Sequence, residues 1–561
     1  MNARGVGARR FTWGLLALVA LAALGGCSPN NDYQTGDSQT NWLRQCHSDD
    51  QCGDLQCLCG VCTRACTGAD SCGDMPGAEC VSASEAGATA QCSGSQPPVA
   101  GLCMRLCDTG SCASDQMCVA GVCTPALEPT ASVSVDTSVR HQALVGFGAS
   151  VAYGESELTS HPEHAAIYQA IFQDLGLDLL RFRNRYEHSG DDDLSTTAAI
   201  FNGASAALGH APVVFLGSWS PPPALKANGS LTCSGNAQTC TLSRASDGGF
   251  DYAGLASYWL ASLGAYAAIG ITPDYVGLQN NPDWIPSSAE IGEACKFLPT
   301  EGASTVSVDG SDVSVSYPGY AEAQAATLAA FARLPAQPKI VAPETSDFSV
   351  LANYAETLDF SRTTALAHQF YGVNPNAVDV SALEALASLQ ARYQRPLFVT
   401  EMEADGFGTA LSIHYATAVE GASAYLQTAL MGALTGVSAN TQALLGLDFS
   451  TFGPEEPYYA MRHFAHDTEP GWVRVDATST GDGLLSSAWI SPQADALSVI
   501  LINASSVAQS VTLNLAENWP NSSVVRSVFS GVERAASLGP LPARGLVELP
   551  PQAVVTVSLT R

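Results

Sequence analysis

The sequence predicts an α/β fold: a (β/α)8 TIM barrel with a C-terminal β-sandwich domain, preceded by a small disulfide-rich region. Three observations predict it. From Ala131 onward, short β-rich runs alternate with longer Ala- and Leu-rich segments, the pattern of repeated βα units. After roughly Trp472 the pattern changes to short alternating runs at 494–503, 510–515 and 552–559, separated by Gly, Pro, Asn and Ser, which reads as a β-sandwich. Before both, 14 of the 18 cysteines are compressed between Cys46 and Cys123.

Size and charge set the outer limits. A chain of 561 residues with 46% apolar and 14% charged side chains can bury several cores. Its 53 acidic against 24 basic residues give a formal charge of -29, which repels phosphate backbones and excludes nucleic acid as a partner. The N-terminus has Arg4, Arg9 and Arg10, an apolar run over 11–24, and then Leu24-Gly25-Gly26-Cys27, the charge, core and small-residue order of a signal peptide. A cysteine at the cleavage point resembles a bacterial lipobox. That resemblance implies a signal peptide over 1–26, lipid attachment at Cys27, and, with Ser28 following, sorting to the outer membrane or cell surface of a Gram-negative bacterium. A polar tether over 27–41 then leads to the cysteine-rich region at 42–125.

That region is rich in Gly, Asp and Ser and poor in large apolar residues, so it needs covalent staples. Cys59-x-x-Cys62 has zinc-knuckle spacing, but passage through an oxidising compartment favours disulfides, whose pairing the sequence leaves open. The stretch Cys46 to Cys52 followed by Gly60-Val61-Cys62 is echoed by Cys107 to Cys112 followed by Gly121-Val122-Cys123, a weak internal repeat.

The barrel is expected over 143–470, with strands at 144–151, 177–182, 213–217, 275–279, 340–343, 365–370, 397–400 and 443–447. Between the third and fourth, Leu255, Trp259, Leu263 and Tyr266 recur at helical spacing, an apolar stripe that covers the outside of the barrel. The β-sandwich is expected over 471–561, with an additional strand contributed from 131–142.

In such a barrel, chemistry sits at the C-terminal ends of the strands, so polar residues there are the ones to weigh. Strand one opens Gly146-Phe147-Gly148, and strand two carries Arg181. Strand three is followed by Trp219-Ser220-Pro221-Pro222-Pro223-Ala224-Leu225-Lys226-Ala227-Asn228-Gly229. Strand four ends Gln279-Asn280-Asn281-Pro282-Asp283-Trp284, strand six carries His368 and Tyr371, and strand seven ends Thr400-Glu401-Met402-Glu403. With Tyr458-Tyr459-Ala460-Met461 and Pro470-Gly471-Trp472-Val473-Arg474, this ensemble is similar to glycoside hydrolase family 30 of clan A, the glucosylceramidase- and xylanase-like enzymes, over residues 131–561.

The resemblance implies retaining hydrolysis, which needs two carboxyl groups about 5–5.5 Å apart, one as nucleophile and one as acid/base. Position by position, Glu401 falls on the nucleophile, and Arg181 and Tyr371 on residues that hold and orient it by charge pairing and hydrogen bonding. The acid/base position departs from the family. Asn-Glu-Pro is here Asn280-Asn281-Pro282, and asparagine cannot protonate a leaving group. Either a nearby carboxylate substitutes, or the leaving group needs little help, or the barrel binds glycans without cutting them. Asp283 is the first candidate substitute, with Glu187, Glu290, Glu293 and Glu403 on neighbouring loops. Trp219 and Trp284 are expected to stack on sugar rings, with Asn280 and His368 also in the substrate site. Cys233 and Cys240 are expected to pair, leaving Cys295 a buried thiol; no His or Cys cluster in this part has metal spacing, and no cofactor is expected.

The sequence therefore leads to an O-glycosyl hydrolase cleaving a β-linked polysaccharide or glycoconjugate (xylan, β-glucan or a glucosylceramide-like compound), monomeric and membrane-anchored. The competing reading is a catalytically silent surface glycan-binding protein or adhesin.

Overall fold

The computed structural model describes residues 41–561 apart from 45, 47, 59–60, 74, 76, 83–100, 108–111, 113–115, 120–121, 126–128, 189–193, 288, 309–310, 434–439 and 543–544. The expected signal peptide, the lipid-attachment residue Cys27 and the polar tether lie outside the described residues. The chain divides into two compact units, Met1–Ala126 and Leu127–Arg561.

The first unit is held by disulfides joining Cys46 to Cys57, Cys52 to Cys62, Cys66 to Cys80, Cys72 to Cys103 and Cys112 to Cys123. Half-cystines with Leu55 and Met75 form one small buried cluster, and Leu43, Leu58, Val61, Leu102, Met104 and Val122 form a second. Cross-links that cut the entropy of the unfolded chain stand in for the apolar burial that the composition cannot supply. The internal repeat has a structural counterpart. Cys52–Cys62 and Cys112–Cys123 each tie the first loop to the second strand of a hairpin, Gln56–Leu58 with Val61–Thr63 and Gln116–Val119 with Val122–Pro125.

In the second unit eight parallel strands close into a barrel: Gly146–Ser150, Leu179–Arg183, Val213–Gly217, Tyr275–Gly277, Lys339–Thr345, Thr363–His368, Leu397–Val399 and Ala424–Gln427. Alternation along each strand sorts side chains into two layers. Leu179, Phe215, Tyr275, Val341, Ala365, Phe398 and Ala424 fill the interior, whereas Leu180, Val214, Val276, Ala342, Leu366 and Val399 face the helices. Closure needs Gly148, because a Cβ there would lie 2.4 Å from the carbonyl oxygen of Leu179 on strand two. This accounts for the second glycine of the Gly-Phe-Gly opening.

Seven strands fall within a few residues of their expected places; the eighth does not. The run expected at 443–447 supplies Leu445–Leu447, the middle strand of a small sheet with Met431–Ala433 and Phe452–Pro454. The strand that closes the barrel is Ala424–Gln427, paired with Phe398 and Val399 on one side and with strand one on the other. The deciding signal is Gly421, which ends the preceding helical segment in a left-handed conformation at φ 82° and starts the chain back through the barrel three residues later. Outside the barrel, Tyr252–Ala268 is a helix capped by the Asp251 carboxylate, which accepts from the Gly254 amide. It buries the expected stripe Leu255, Trp259, Leu263 and Tyr266.

The C-terminal domain is one nine-stranded ladder curled over its own core, rather than two sheets with separate edges. Ala131–Ala143 runs through it, antiparallel to Val473–Ser479 and parallel to Gln509–Leu515. Val499, Leu501, Val555 and Val557 face the domain's core, while Ile500, Ile502, Val554 and Trp489 turn to the barrel, where the Trp489 ring meets Phe147 at 6.5 Å. At this junction His463 is fully buried between the Thr556 and Ser527 hydroxyls, 2.9 Å from each, and burial followed by the nearby Arg462 charge depresses it to about 3. Below the ordinary histidine value near 6.5 the unfolded chain takes up a proton that the folded one refuses, so stability falls from about pH 6.5 towards pH 3. The thermal midpoint should therefore decline more steeply between pH 7 and pH 4.5 in the wild type than in His463→Gln; parallel declines would show that this histidine does not govern acid sensitivity.

Candidate active site

Strand two carries two arginines at inward positions, Arg181 and Arg183, one layer apart, and each collects carboxylates. Arg181 is completely buried. Its Nη1 donates to Glu401 Oε1, and its Nη2 donates to Glu344 Oε2 and to Asn280 Oδ1, both at 2.7 Å. The guanidinium lies over the Trp219 ring at 4.2 Å and near Phe215 at 5.4 Å. Two aromatic faces and three oxygens thus replace the water a buried cation has lost. Burial opposes its charge, and the flanking Glu344 and Glu401 carboxylates more than restore it, so Arg181 stays protonated.

Glu401 stands just beyond strand seven and is 3% exposed. Arg181 holds one of its oxygens and the Tyr371 hydroxyl donates to the other at 2.8 Å. Tyr371 is 40% exposed, so the carboxylate lies between a buried cation and a residue at the open mouth. Burial, with Glu401 next, pushes the Tyr371 phenol far above its ordinary range, so it remains a donor. Asn280 Oδ1 also accepts from Gln369 Nε2 at 2.6 Å, which joins strands two, four and six in one polar layer. Asn281, half-buried beside it, has left-handed backbone at φ 49°; its N–H donates to the Glu344 carbonyl, and its Oδ1 is buried with no hydrogen-bond partner among the described residues.

Several residues singled out from the sequence have other employment. The Asp283 carboxylate accepts from the Ser346 amide and hydroxyl and from the Asp347 amide at 2.8–3.0 Å, anchoring the loop after strand five. Trp284 packs with Ile285 around the Cys233–Cys240 disulfide. His368 has the outward parity of Leu366. Its Nε2 meets Glu420 Oε1 at 2.6 Å on the helix side, and although burial opposes its charge, that carboxylate raises its pKa. Lys226 of the Trp-Ser-Pro-Pro stretch is 3% exposed and its ammonium donates to Ser220 Oγ and to the Ala294 carbonyl, tying the loops after strands three and four together. Cys295 is a buried free thiol, pushed up to about 12 by burial.

The sequence reading passes over Glu344. Strand alternation turns Ala342 outward and would turn Glu344 outward too, but the register between strands five and six shifts at Pro343/Thr345. The shift, with left-handed backbone at Glu344 (φ 63°), brings its carboxylate inward onto Arg181. Its position directly after the expected strand at 340–343 was the available signal. A second cluster, of which the sequence singled out Glu293 alone, surrounds Arg183, whose Nη1 donates to Glu293 at 2.6 Å while Glu155 lies 3.7 Å away. The Arg183 guanidinium covers the Tyr153 ring at 4.6 Å, and the Tyr153 hydroxyl is in electrostatic range of both Glu293 and Glu401. A cleft of about 950 Å³ opens past Tyr153, between His161, Met431 and Phe449.

No protein-family model matches the sequence, and no curated protein matches it. Solved structures do. A glycoside hydrolase family 30 subfamily 8 xylanase, Xyn30A, from Clostridium acetobutylicum superposes with TM-score 0.57 at 20% identity, over 77% of this chain and 100% of that one. Its fold is the fold found here. A conserved exported protein from Bacteroides fragilis (TM-score 0.61, 14% identity, 76% and 100%) and the endo-β-1,6-glucanase BT3312 (0.57, 15%, 78% and 95%) share it as well.

The fit around Arg181 depends on one small residue. A Cβ on Gly277 of strand four would lie 1.8 Å from Glu344 Oε1. Gly277→Ala should lower the unfolding free energy by about 1–3 kcal/mol in urea titration, the usual range for overpacking. In a Glu344→Ala background the same substitution should cost much less; equal costs in both backgrounds would mean that the strain lies elsewhere.

Proposed function

We propose that the chain is a retaining O-glycosyl hydrolase of the family 30 type, with Glu401 as nucleophile and a β-linked polysaccharide or glycoconjugate as substrate. The observation that carries this reading is the double hold on Glu401, by Arg181 on one oxygen and Tyr371 on the other, at the C-terminal mouth of the barrel. A nucleophile needs its lone pair aimed and its charge kept, and a hydroxyl donor at the open side can release it towards the sugar as the reaction begins. In the first step a Glu401 oxygen bonds to the anomeric carbon and the leaving oxygen departs with the electron pair of the broken bond. In the second, water adds to that carbon, restores the carboxylate and loses a proton.

Asn281 governs how well these steps run. A general acid is worth ~10²–10⁴-fold, and an amide supplies none of it. The first step is therefore restricted to leaving groups that are stable as anions, unless another carboxyl donates. Glu403 meets that requirement better than Asp283. It is half-buried, burial and then Glu401 raise its pKa, and it also acts electrostatically on Tyr371, whereas Asp283 is fully occupied in its loop. Trp219, expected from the sequence to stack on a sugar ring, is 7% exposed and gives its ring face to Arg181 at 4.2 Å, so its part here is to hold that cation.

The amide at Asn281 also favours a second reading, a surface receptor that holds glycan without cutting it. Under either reading we propose export and lipid anchoring through Cys27, which would place the site outside the cell among polysaccharides.

Hydrolysis of an aryl β-glycoside with a good leaving group separates the readings. Slow wild-type turnover should quicken with azide, which needs no base to attack the ester. It should rise by ~10²-fold or more in Asn281→Glu, less any cost of placing Glu in left-handed backbone, and vanish in Glu401→Gln. Glu403→Gln should slow substrates with poor leaving groups more than the activated one. If wild type and Asn281→Glu are both inert while the wild type binds polysaccharide, the receptor reading holds.

A further inference from the structure

Arg181 serves two buried carboxylates, and the hydrolytic scheme uses one. The other, Glu344, is wholly buried, stands in strained backbone, and has room only because strand four has no side chain at Gly277. Left-handed backbone at a residue that is neither Gly nor Asn costs of order 1–3 kcal/mol and persists where the surroundings impose it. An ordinary outward-facing residue at the end of strand five would have been cheaper. Glu344 therefore has a specific relation to Arg181 and, through it, to Glu401.

We propose that Glu344 is a positioning residue for Glu401: it shares the Arg181 guanidinium with Glu401 and becomes its full partner whenever Glu401 is neutral, as it is in a covalent glycosyl ester.

Charge counting supports this. One guanidinium between two ionised carboxylates leaves a net negative charge in a site that meets water only at its Glu401 end, which is costly; one proton on the pair removes it. The proton belongs on Glu344. Glu401 has a donor on each oxygen, whereas Glu344 Oε1 has no hydrogen-bond partner among the described residues. The titratable groups against Glu344 are Arg181 from strand two, Glu401 from strand seven and Tyr320 from the helix Tyr320–Phe331, with the Thr400 hydroxyl nearby. Burial raises the Tyr320 phenol well above its ordinary value, so it stays neutral and leaves the balance to Arg181, Glu401 and Glu344 itself. Burial likewise pushes Glu344 up to about 7, Arg181 pulling it down and Glu401 adding to the rise.

The cycle follows. At rest Arg181 is positive, Glu401 negative and Glu344 protonated. When a Glu401 oxygen bonds to the anomeric carbon and the leaving group departs with its electron pair, the charge facing Arg181 is lost; Glu344 then gives its proton to solvent and takes over the pairing. When water reopens the ester, Glu401 regains its charge and Glu344 takes up the proton that water releases. Atoms and charge balance without a further reagent, and Arg181 keeps an anionic partner throughout.

This inference rests on Glu401 as the nucleophile, but its central test does not require turnover. Glu401→Gln is neutral at that position, like the ester. Infrared difference spectroscopy of the whole protein across pH 5–9 should show a protonated-carboxyl band in the wild type that fades near pH 7 and is missing in Glu344→Gln, which tells it apart from the band of Asp178, a carboxyl that burial also raises to about 7. In Glu401→Gln the same band should fade at least about one pH unit lower, a tenfold change in proton affinity. Should Glu344→Gln not fold, Glu344→Asp identifies the band by displacing it. A wild type without such a band, or a band unmoved in Glu401→Gln, overturns the proposal. With an activated aryl β-glycoside, Glu344→Gln should also slow formation of the glycosyl-enzyme by tenfold or more while leaving its breakdown as fast or faster, because the ester then leaves Arg181 without an anion. Equal slowing of both steps contradicts the shared guanidinium. An inert wild type would instead count against the hydrolase reading and leave the infrared result standing.

Discussion

The buried Arg181 guanidinium is the constraint from which the rest of the site follows. A cation with no access to water is tolerated only where charge and hydrogen bonds replace its hydration, and removal of one buried partner typically costs 3–5 kcal/mol. Here the replacement comes from four strands and the loops that follow them: Asn280 after strand four, Glu344 at the end of strand five, Glu401 after strand seven and the Trp219 face after strand three. A sequence able to bury this arginine has already placed a carboxylate at the barrel mouth. The aliphatic and aromatic layer beneath it, from Leu179 to Phe398, keeps the strand ends in register so that the charges meet.

Much of this was legible in the amino-acid sequence. The alternation of β-rich runs with Ala- and Leu-rich segments locates seven of eight barrel strands, because strands buried on both faces must be apolar throughout. Arg181, Glu401 and Tyr371 were legible as strand-end polar residues, and the structure brings the three together. What was hidden depended on local departures from regular geometry. The closing strand lay behind the left-handed turn at Gly421, and Glu344 behind a register shift that reverses the side its chain faces. His368, read as a pocket wall, points to Glu420 because parity along its strand, not nearness to the strand end, sets its direction. Asp283 was drawn to the acid/base position by nearness in sequence, whereas its oxygens are taken up by the amides and hydroxyl of the next loop.

One residue of the site, Asn281, separates the two proposed readings of the same fold. Asn281 occupies left-handed backbone, which asparagine tolerates better than glutamate, and its buried amide oxygen has no partner among the described residues. Under the proposed hydrolase reading, Arg181 and Tyr371 already hold both Glu401 oxygens, so Asn281 bears on proton transfer and not on how the barrel holds Glu401. This favours chemistry on leaving groups that are stable as anions.

The central claim is that Glu401 forms a covalent bond to the sugar. The most direct measurement is mass spectrometry of the intact protein and its peptides after incubation with a 2-deoxy-2-fluoro β-glycoside carrying a dinitrophenyl leaving group. One added sugar on the peptide containing Glu401, missing from Glu401→Gln, is the predicted result. A label on another residue, or no label on a protein that still binds the corresponding glycan, would contradict it.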